Sequence, residues 1–370
     1  MRTRAAMIWG HGEDWTVDEI DLDDPRKGEV MVALAATGLC HSDEHLRLGD
    51  MPAYGFPMIG GHEGAGVVEK VGPGVTSVRE GDHVVLSFVP ACGRCPSCSR
   101  GHQNLCDLGA HLLVGLQLDR TSRHHVRGGD ARLMCLVGAF AGHTVCGEAS
   151  VIRIDKDIPL ELAALVGCAV TTGWGSAVYA AEVKPGDTVV VMGVGGVGTN
   201  AVQGARHAGA QHVIALDPAG FRRRQAPTFG ATHVAASHSE AFELVRDLTH
   251  GRYANSTIIT VGVPGRDTIR QAMALTGKAG TVVLTSMAPF TQTDLTLPMA
   301  ELTTLEKSIR GSLFGSANPR YDVPKLLSLW RSGQLRLEEL VTRSYKLDDI
   351  NLGYEDMYRG DTIRGVLTFT

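Results

Sequence analysis

Between Gly38 and His45 the chain reads GLCHSDEH, which places six potential metal ligands or proton carriers in eight residues. A second dense stretch, GGHEGAG, sets His62 and Glu63 among glycines that let the backbone approach both side chains closely. Taken singly, Cys40 reads as a small buried hydrophobe and His62 as a hydrogen-bonded core histidine. A downstream thiol changes that reading, because Cys168, on an apolar stretch, completes a set of two cysteines and one histidine. Three protein ligands leave the fourth position of a tetrahedral zinc ion open, the arrangement of a catalytic rather than a structural site. Cys92, Cys95, Cys98 and Cys106 follow a different pattern, C-x2-C-x2-C-x7-C, around Gly93, Pro96 and Gly101. Four thiolates close the shell of a zinc ion and leave no room for substrate, so this cluster predicts a structural staple. An iron–sulfur cluster is the competing reading.

The other centre of chemistry is a turn of glycines. Gly193, Gly195 and Gly198, with Gly196 and Val197 between them, fit G-x-G-x-x-G directly after the β-branched run Thr188 to Met192. The first glycine permits a tight turn, the second lets a pyrophosphate reach the backbone, and the third lets a helix pack on the strand. A helical stretch to Ala208 leads into a second strand, His212 to Leu216, closed by Asp217. An acid about 20 residues past the glycines can accept hydrogen bonds from an adenosine ribose and repels a 2′-phosphate, which favours NAD over NADP. Arg222, Arg223 and Arg224 lie close enough to raise the opposite case; a solvated helix start with one arginine beside the ribose is the simpler reading.

The elements that must hold these groups are legible more coarsely. Residues 28–37 and 67–71 predict strands, the first leading into the Cys40 stretch and the second following the His62 stretch. A chain of 370 residues exceeds a usual single domain, and 44% hydrophobic with 20% charged residues describes a globular protein. The net charge of −5 gives no electrostatic case for nucleic acid or membranes. No run approaches the roughly 20 apolar residues of a membrane helix, and the start MRTRAAMIWGHGEDW reads against a signal peptide. Eight cysteines, four of them crowded into one loop, suit metal better than a disulfide framework and predict a reducing, cytoplasmic setting. Cys135 and Cys146 are left over, with packing as their expected role.

The assembled segments GLCHSDEH, GGHEGAGVVEKVGPGV, GDHVV, CGRCPSC, VGCAVTTGWGSA, VMGVGGVG and IRGVLTF resemble the zinc-dependent medium-chain alcohol dehydrogenases over nearly the whole chain. The resemblance implies an α/β architecture: a GroES-like β-rich catalytic domain with a structural zinc lobe (1–169), a doubly wound Rossmann domain that binds NAD (170–313), and a C-terminal return to the catalytic domain (314–370). It implies Cys40, His62 and Cys168 as catalytic zinc ligands and the four clustered cysteines as the structural site. Glu63 matches a carboxylate that can approach the metal, and Asp43 the partner of His62. Ser42 and His45 match a relay that carries the alcohol's proton to solvent; the bland alternative for His45 is an exposed loop histidine. His41 and Arg364 match groups that meet the pyrophosphate, Thr172 one on the nicotinamide side, and Arg222 a basic residue beside the ribose. Phe88 matches a wall of the alcohol pocket.

Further wording, CDLGAHLL, FGATHV and NPRYDVPKLL, is similar to an actinobacterial branch that includes nicotinoproteins, which hold NAD(H) permanently and use nitroso-dimethylaniline as an artificial acceptor. A sister branch oxidises formaldehyde adducts of small thiols. The implied reaction is hydride exchange between a primary alcohol or aldehyde and NAD, with a small-molecule partner and a homo-oligomeric assembly. A non-catalytic nucleotide-binding protein would not need Cys40, His62 and Cys168 together.

Overall fold

The computed structural model describes residues 1–369. Strand Thr188–Met192 is buried along its whole length, as Val189, Val190 and Val191 demand of a strand covered on both faces. It pairs in parallel with His212–Leu216 on one side and Ala254–Ile259 on the other. Outward from these lie His233–Ala235 on one edge and Thr276–Leu284 then Ser308–Gly311 on the other, giving a six-stranded parallel sheet. Chain order reverses beside Thr188–Met192, and a crevice opens there at the carboxyl ends of the strands. Gly193 turns out of the strand at φ 88°, a conformation that side chains with a Cβ resist. The helix Gly196–His207 follows. A Cβ at Gly198 would overlap the Gly193 carbonyl, so only glycine lets this helix start so close to its strand.

The remaining chain builds two sheets. One runs in the order Val151–Ile154, His83–Leu86, Gly64–Val71, Glu29–Gly38, Arg364–Thr368, Val341–Lys346, with His143–Gly147 also paired to Glu29–Gly38. The other is centred on Arg2–Ile8 and Thr16–Leu22. The last strand, Arg364–Thr368, returns across the molecule and sets Val366 opposite Gly38, two residues before Cys40. Fold class is therefore a β-rich lobe joined to a doubly wound α/β lobe. Helix Ala169–Gly175 connects them and packs on Gly196–His207, where a Cβ at Gly173 would run into the Val197 carbonyl. Together with Leu160–Val166 it forms an apolar bent pair buried in the core, and no single helix among the described residues is long and apolar enough to cross a membrane.

The stretch 108–147 carries short strands and a buried polar knot. Arg123 is fully buried and donates to Glu29 and Asp119. Its neighbour His124 is also fully buried, with the Val145 N–H donating to Nε2 at 3.3 Å. Burial, reinforced by His125 and Arg123, pushes the His124 imidazole down to about 3. The unfolded chain protonates this residue near pH 6.5 while the folded chain keeps it neutral, so stability falls as pH drops from about 6.5 toward about 3. The variant His124→Gln, which keeps an acceptor for Val145 but does not titrate, is expected to flatten that part of the decline. Equilibrium unfolding measured at intervals from pH 7 to 4 reads the difference in slope.

Candidate active site

Cys40 leaves strand Glu29–Gly38 in an extended conformation and stands at the start of helix His41–Leu48. His62 and Glu63 come from the turn before the neighbouring strand Gly64–Val71, and Cys168 from the end of the turn preceding helix Ala169–Gly175. Segments distant in sequence thus converge. One donor atom from each of Cys40, His62, Glu63 and Cys168 lies within 4.8 Å of the others, and all four residues are buried. Asp43 Oδ1 accepts from the Gly61 N–H at 2.9 Å and from His62 Nδ1 at 3.2 Å. That bond fixes the His62 tautomer and aims the lone pair of Nε2 into the cluster. His62 Nε2 and Glu63 Oε1 find no hydrogen-bond partner among the described residues. The Cys40 thiol is held well below its usual range, chiefly by a hydrogen bond from Cys168 and, against the opposing effect of burial, by the charges of His62 and Arg364. A thiolate, a second thiol and an orphaned imidazole nitrogen fit a zinc ion with an open fourth position.

Cys92, Cys95, Cys98 and Cys106 also gather their sulfurs within 4.8 Å of one another, and all eight cysteines are free thiols. Cys95 and Cys106 sulfurs are 3.8 Å apart, the spacing of about 3.8 Å that Zn–S bonds of about 2.3 Å give in a tetrahedron. Cys95 Sγ accepts from the N–H groups of Cys98 and Asp107 at 3.4 Å, and these bonds lower its thiol to about 6. Four sulfurs with amide support fit a closed zinc site. The lobe leans on the rest of the chain where Asn104 Nδ2 donates to the Leu313 carbonyl at 3.0 Å.

A cavity of about 400 Å³ joins the first donor set to the glycine turn: Cys40, His62, Cys168 and Thr172 line one part, and Gly193, Gly195, Gly196, Val197 and Asp217 another. Asp217 is 3% exposed, and its carboxylate accepts from the N–H groups of Val194 and Ala219 at 2.8 Å. Lone pairs remain for a ribose. Arg223 is spent on the carbonyls of Asp217 and Pro218, and Arg222 on those of Thr362 and Met357, so neither is free for a 2′-phosphate. Arg364 is buried, ion-paired to Glu63, and packs against Gly196. His41 lines the cavity beside Gly262 and Tyr358, and burial lowers its pKa. Ser42 Oγ lies 3.7 Å from Cys40 Sγ.

His45 is not the exposed loop histidine of the bland alternative. It is helical and 2% exposed, and its nitrogens contact Asp50 and the Gly262 carbonyl rather than solvent. Cys135 and Cys146 both pack in the core, and Cys135 also lines the cavity. The end beyond the donor set is apolar, walled by Met51, Phe88, Met134, Met287, Leu313 and Phe314. Phe88 stands edge-on to His62 and to Phe314, at ring distances of 5.4 and 5.3 Å. Asp50, Met287 and Phe314 escaped the sequence reading because they sit on turns without a motif; the dipeptide Gly49-Asp50 after the helix was the only signal available.

A β-rich lobe bearing a donor set of two cysteines and one histidine, together with a four-cysteine staple, closes onto a glycine-turn nucleotide lobe; that combination defines a zinc-binding dehydrogenase. Comparison with known proteins agrees. Residues 26–156 match the alcohol dehydrogenase GroES-like domain and residues 196–332 the zinc-binding dehydrogenase domain. The chain is 49% identical to alcohol dehydrogenase B of Mycobacterium tuberculosis, covering 100% of this chain and 99% of that protein. It is 48% identical to the NDMA-dependent alcohol dehydrogenase of Amycolatopsis methanolica, over 99% of both. Benzyl alcohol dehydrogenase of Acinetobacter calcoaceticus superposes with a TM-score of 0.93 over 100% of both chains at 28% identity. The chain belongs to the zinc-dependent medium-chain alcohol dehydrogenase family, and is an oxidoreductase that uses zinc and NAD.

Replacing Cys106 by Ser is expected to lower zinc from about two to about one per chain and to lower the thermal midpoint, since a closed site of four thiolates contributes folding energy outright. Metal analysis by mass spectrometry on the folded protein, paired with a thermal melt, checks both.

Proposed function

We propose that the cleft oxidises primary alcohols carrying apolar substituents to aldehydes, and the reverse, with hydride passing between substrate and NAD. The observation that carries this reading is the orphaned His62 Nε2 among Cys40, Glu63 and Cys168 in the same cavity as the glycine turn. When bound, zinc supplies Lewis acidity that lowers the pKa of the substrate hydroxyl, and NAD supplies the hydride acceptor. Cys40, His62 and Cys168 hold the metal, and Asp43 keeps His62 in the ligating tautomer. Ser42 Oγ accepts the hydroxyl proton as it gives up its own, and His45, one helical turn on and on the same face, is the next carrier. Asp217 orients the adenosine ribose, with Arg222 beside it. His41 and Arg364 would meet the pyrophosphate of the dinucleotide, and Thr172 its nicotinamide side. Glu63, pushed up to about 7 by burial against the opposing charge of Arg364, sits beside the ligands where it can approach the metal during exchange.

The apolar end of the cavity supports an uncharged alcohol over an anionic thiol adduct: Met51, Phe88, Met134, Met287, Leu313 and Phe314 carry no charge to meet a carboxylate, and the two arginines of the cavity, Arg222 and Arg364, are bonded to carbonyls and to Glu63. A second reading, permanently held NAD(H), is supported by the ties that cross the crevice. Arg222 bonds to two carbonyls of the opposite lobe, and Arg364 covers Gly196. The similarity to the NDMA-dependent enzyme points the same way. The division at 1–169, 170–313 and 314–370 is supported by the reach of the parallel sheet and by the return of Arg364–Thr368 to the first lobe. A homo-oligomer is supported by Ser308–Gly311, an exposed edge strand with one free side. Eight free thiols support a cytoplasmic setting.

Cys40→Ala is expected to lower alcohol oxidation by more than about a hundredfold, since even outer partners of a metal ligand cost roughly 10–100-fold. NAD binding should survive. Steady-state rates beside a dinucleotide titration check it; full turnover with the metal gone would remove the zinc mechanism. Denaturing the purified protein and assaying the supernatant separates the two readings: about one NAD(H) per chain marks a retained cofactor, and none marks a dissociable one.

A further inference from the structure

The helix end after His45 is closed by its own loop. Gly49 takes φ 85° and donates its N–H to the Leu46 carbonyl at 3.2 Å, and the Met51 N–H donates to the His45 carbonyl at 3.0 Å. This tight return swings Asp50 back over the helix, so that Asp50 Oδ2 lies 2.9 Å from His45 Nδ1. The Asp50 backbone is held from the far lobe, because its carbonyl accepts the Phe290 N–H at 2.9 Å. On the other edge of the ring, Nε2 lies 3.2 Å from the Gly262 carbonyl. The remaining neighbour is His41, whose ring stands 5.2 Å away, while the adjacent Glu44 turns aside to Arg47, Trp15 and Tyr358.

We propose that Asp50 is the positioning residue of the proton relay: its carboxylate fixes the Nδ1–H tautomer of His45, so that Nε2 is the nitrogen that gains and loses the proton. The assignment rests on the alcohol dehydrogenase reading above. Both groups that flank the ring are acceptors, and a neutral imidazole has a single N–H to give. The ionised carboxylate is the stronger acceptor and takes it. Nε2 then keeps its lone pair, on the edge of the ring that lines the cleft beside the Gly262 carbonyl. When a proton arrives there, an N–H bond forms and points at the Gly262 carbonyl, so the imidazolium is met by an acceptor on each edge. Transfer of that proton to solvent water breaks the N–H bond and returns the neutral ring, still held at Nδ1. The ring therefore neither rotates nor changes tautomer during its cycle, a saving that a solvent-exposed histidine lacks.

Asp50→Asn can present an N–H to Nδ1 and so permits the wrong tautomer, whereas Asp50→Glu keeps the charge. Hexan-1-ol oxidation is measured on the metal-loaded holoenzyme, with excess NAD⁺ or, where the dinucleotide is retained, with nitroso-dimethylaniline. Asp50→Asn is expected to lower kcat about tenfold to a hundredfold without raising KM for the alcohol, with zinc content and thermal midpoint unchanged, and Asp50→Glu to recover part of the loss. A His45→Gln background gives the decisive readout: there Asp50→Asn should cost nothing further, because the two act as one unit. Losses that multiply in the double variant, or Asp50→Asn at full kcat while His45→Gln is slow, overturn the role of Asp50. A fully active His45→Gln instead overturns the relay within the alcohol dehydrogenase reading itself.

Discussion

A guanidinium buried beside a metal-binding cluster is the constraint around which this molecule closes. Arg364 is 4% exposed and Glu63 is completely buried, and each would be costly to desolvate alone. Their ion pair ties the final strand to the turn that carries His62. The same side chain lies over Gly196, at the start of the nucleotide helix. Three requirements meet in one residue: charge balance for the donor set, a fixed address for the C-terminal strand, and contact with the glycine turn. Antiparallel pairing of Val366 with Gly38 delivers Arg364 to that spot, because Gly38 has no side chain to block the pair.

Contacts of this kind make the crevice a property of both lobes together. The β-rich lobe supplies thiols, an imidazole and carboxylates; the parallel sheet supplies a turn whose amides face the cavity. Joining them is the close crossing of Ala169–Gly175 on Gly196–His207, which brings Cys168 and Thr172 within reach of the glycines. His45, Arg222 and Arg364 then bridge the gap from several sides. Dense interlobe bonding of this sort makes opening of the crevice a concerted event rather than the swing of one loop.

Much of this was legible in the sequence because local chemistry dictated it. The strand Thr188–Met192, the turn at Gly193 and the strand His212–Leu216 fall where glycine spacing and β-branched runs place them. The two cysteine patterns announced their donor sets through spacing and residue type. Long-range partners were not legible. The burial of Arg123 and His124 has no local signal, because the acid that pairs with Arg123, Glu29, lies 94 positions earlier. The setting of His45 was hidden for a different reason: its acid is only five residues away, but a positive φ at Gly49 is needed to fold it back. Met287 and Phe314 belong to connections whose place depends on the whole sheet.

The tie from Asn104 to the Leu313 carbonyl has a reach greater than its length. Leu313 and Phe314 form one wall of the apolar end of the cleft, and Asn104 belongs to the lobe that the four cysteines gather. Stiffness imparted by those sulfurs is therefore transmitted to the surface that a substrate's hydrocarbon tail would touch. An ion held by the four cysteines would thus brace, through one amide, a wall of the cleft it never faces.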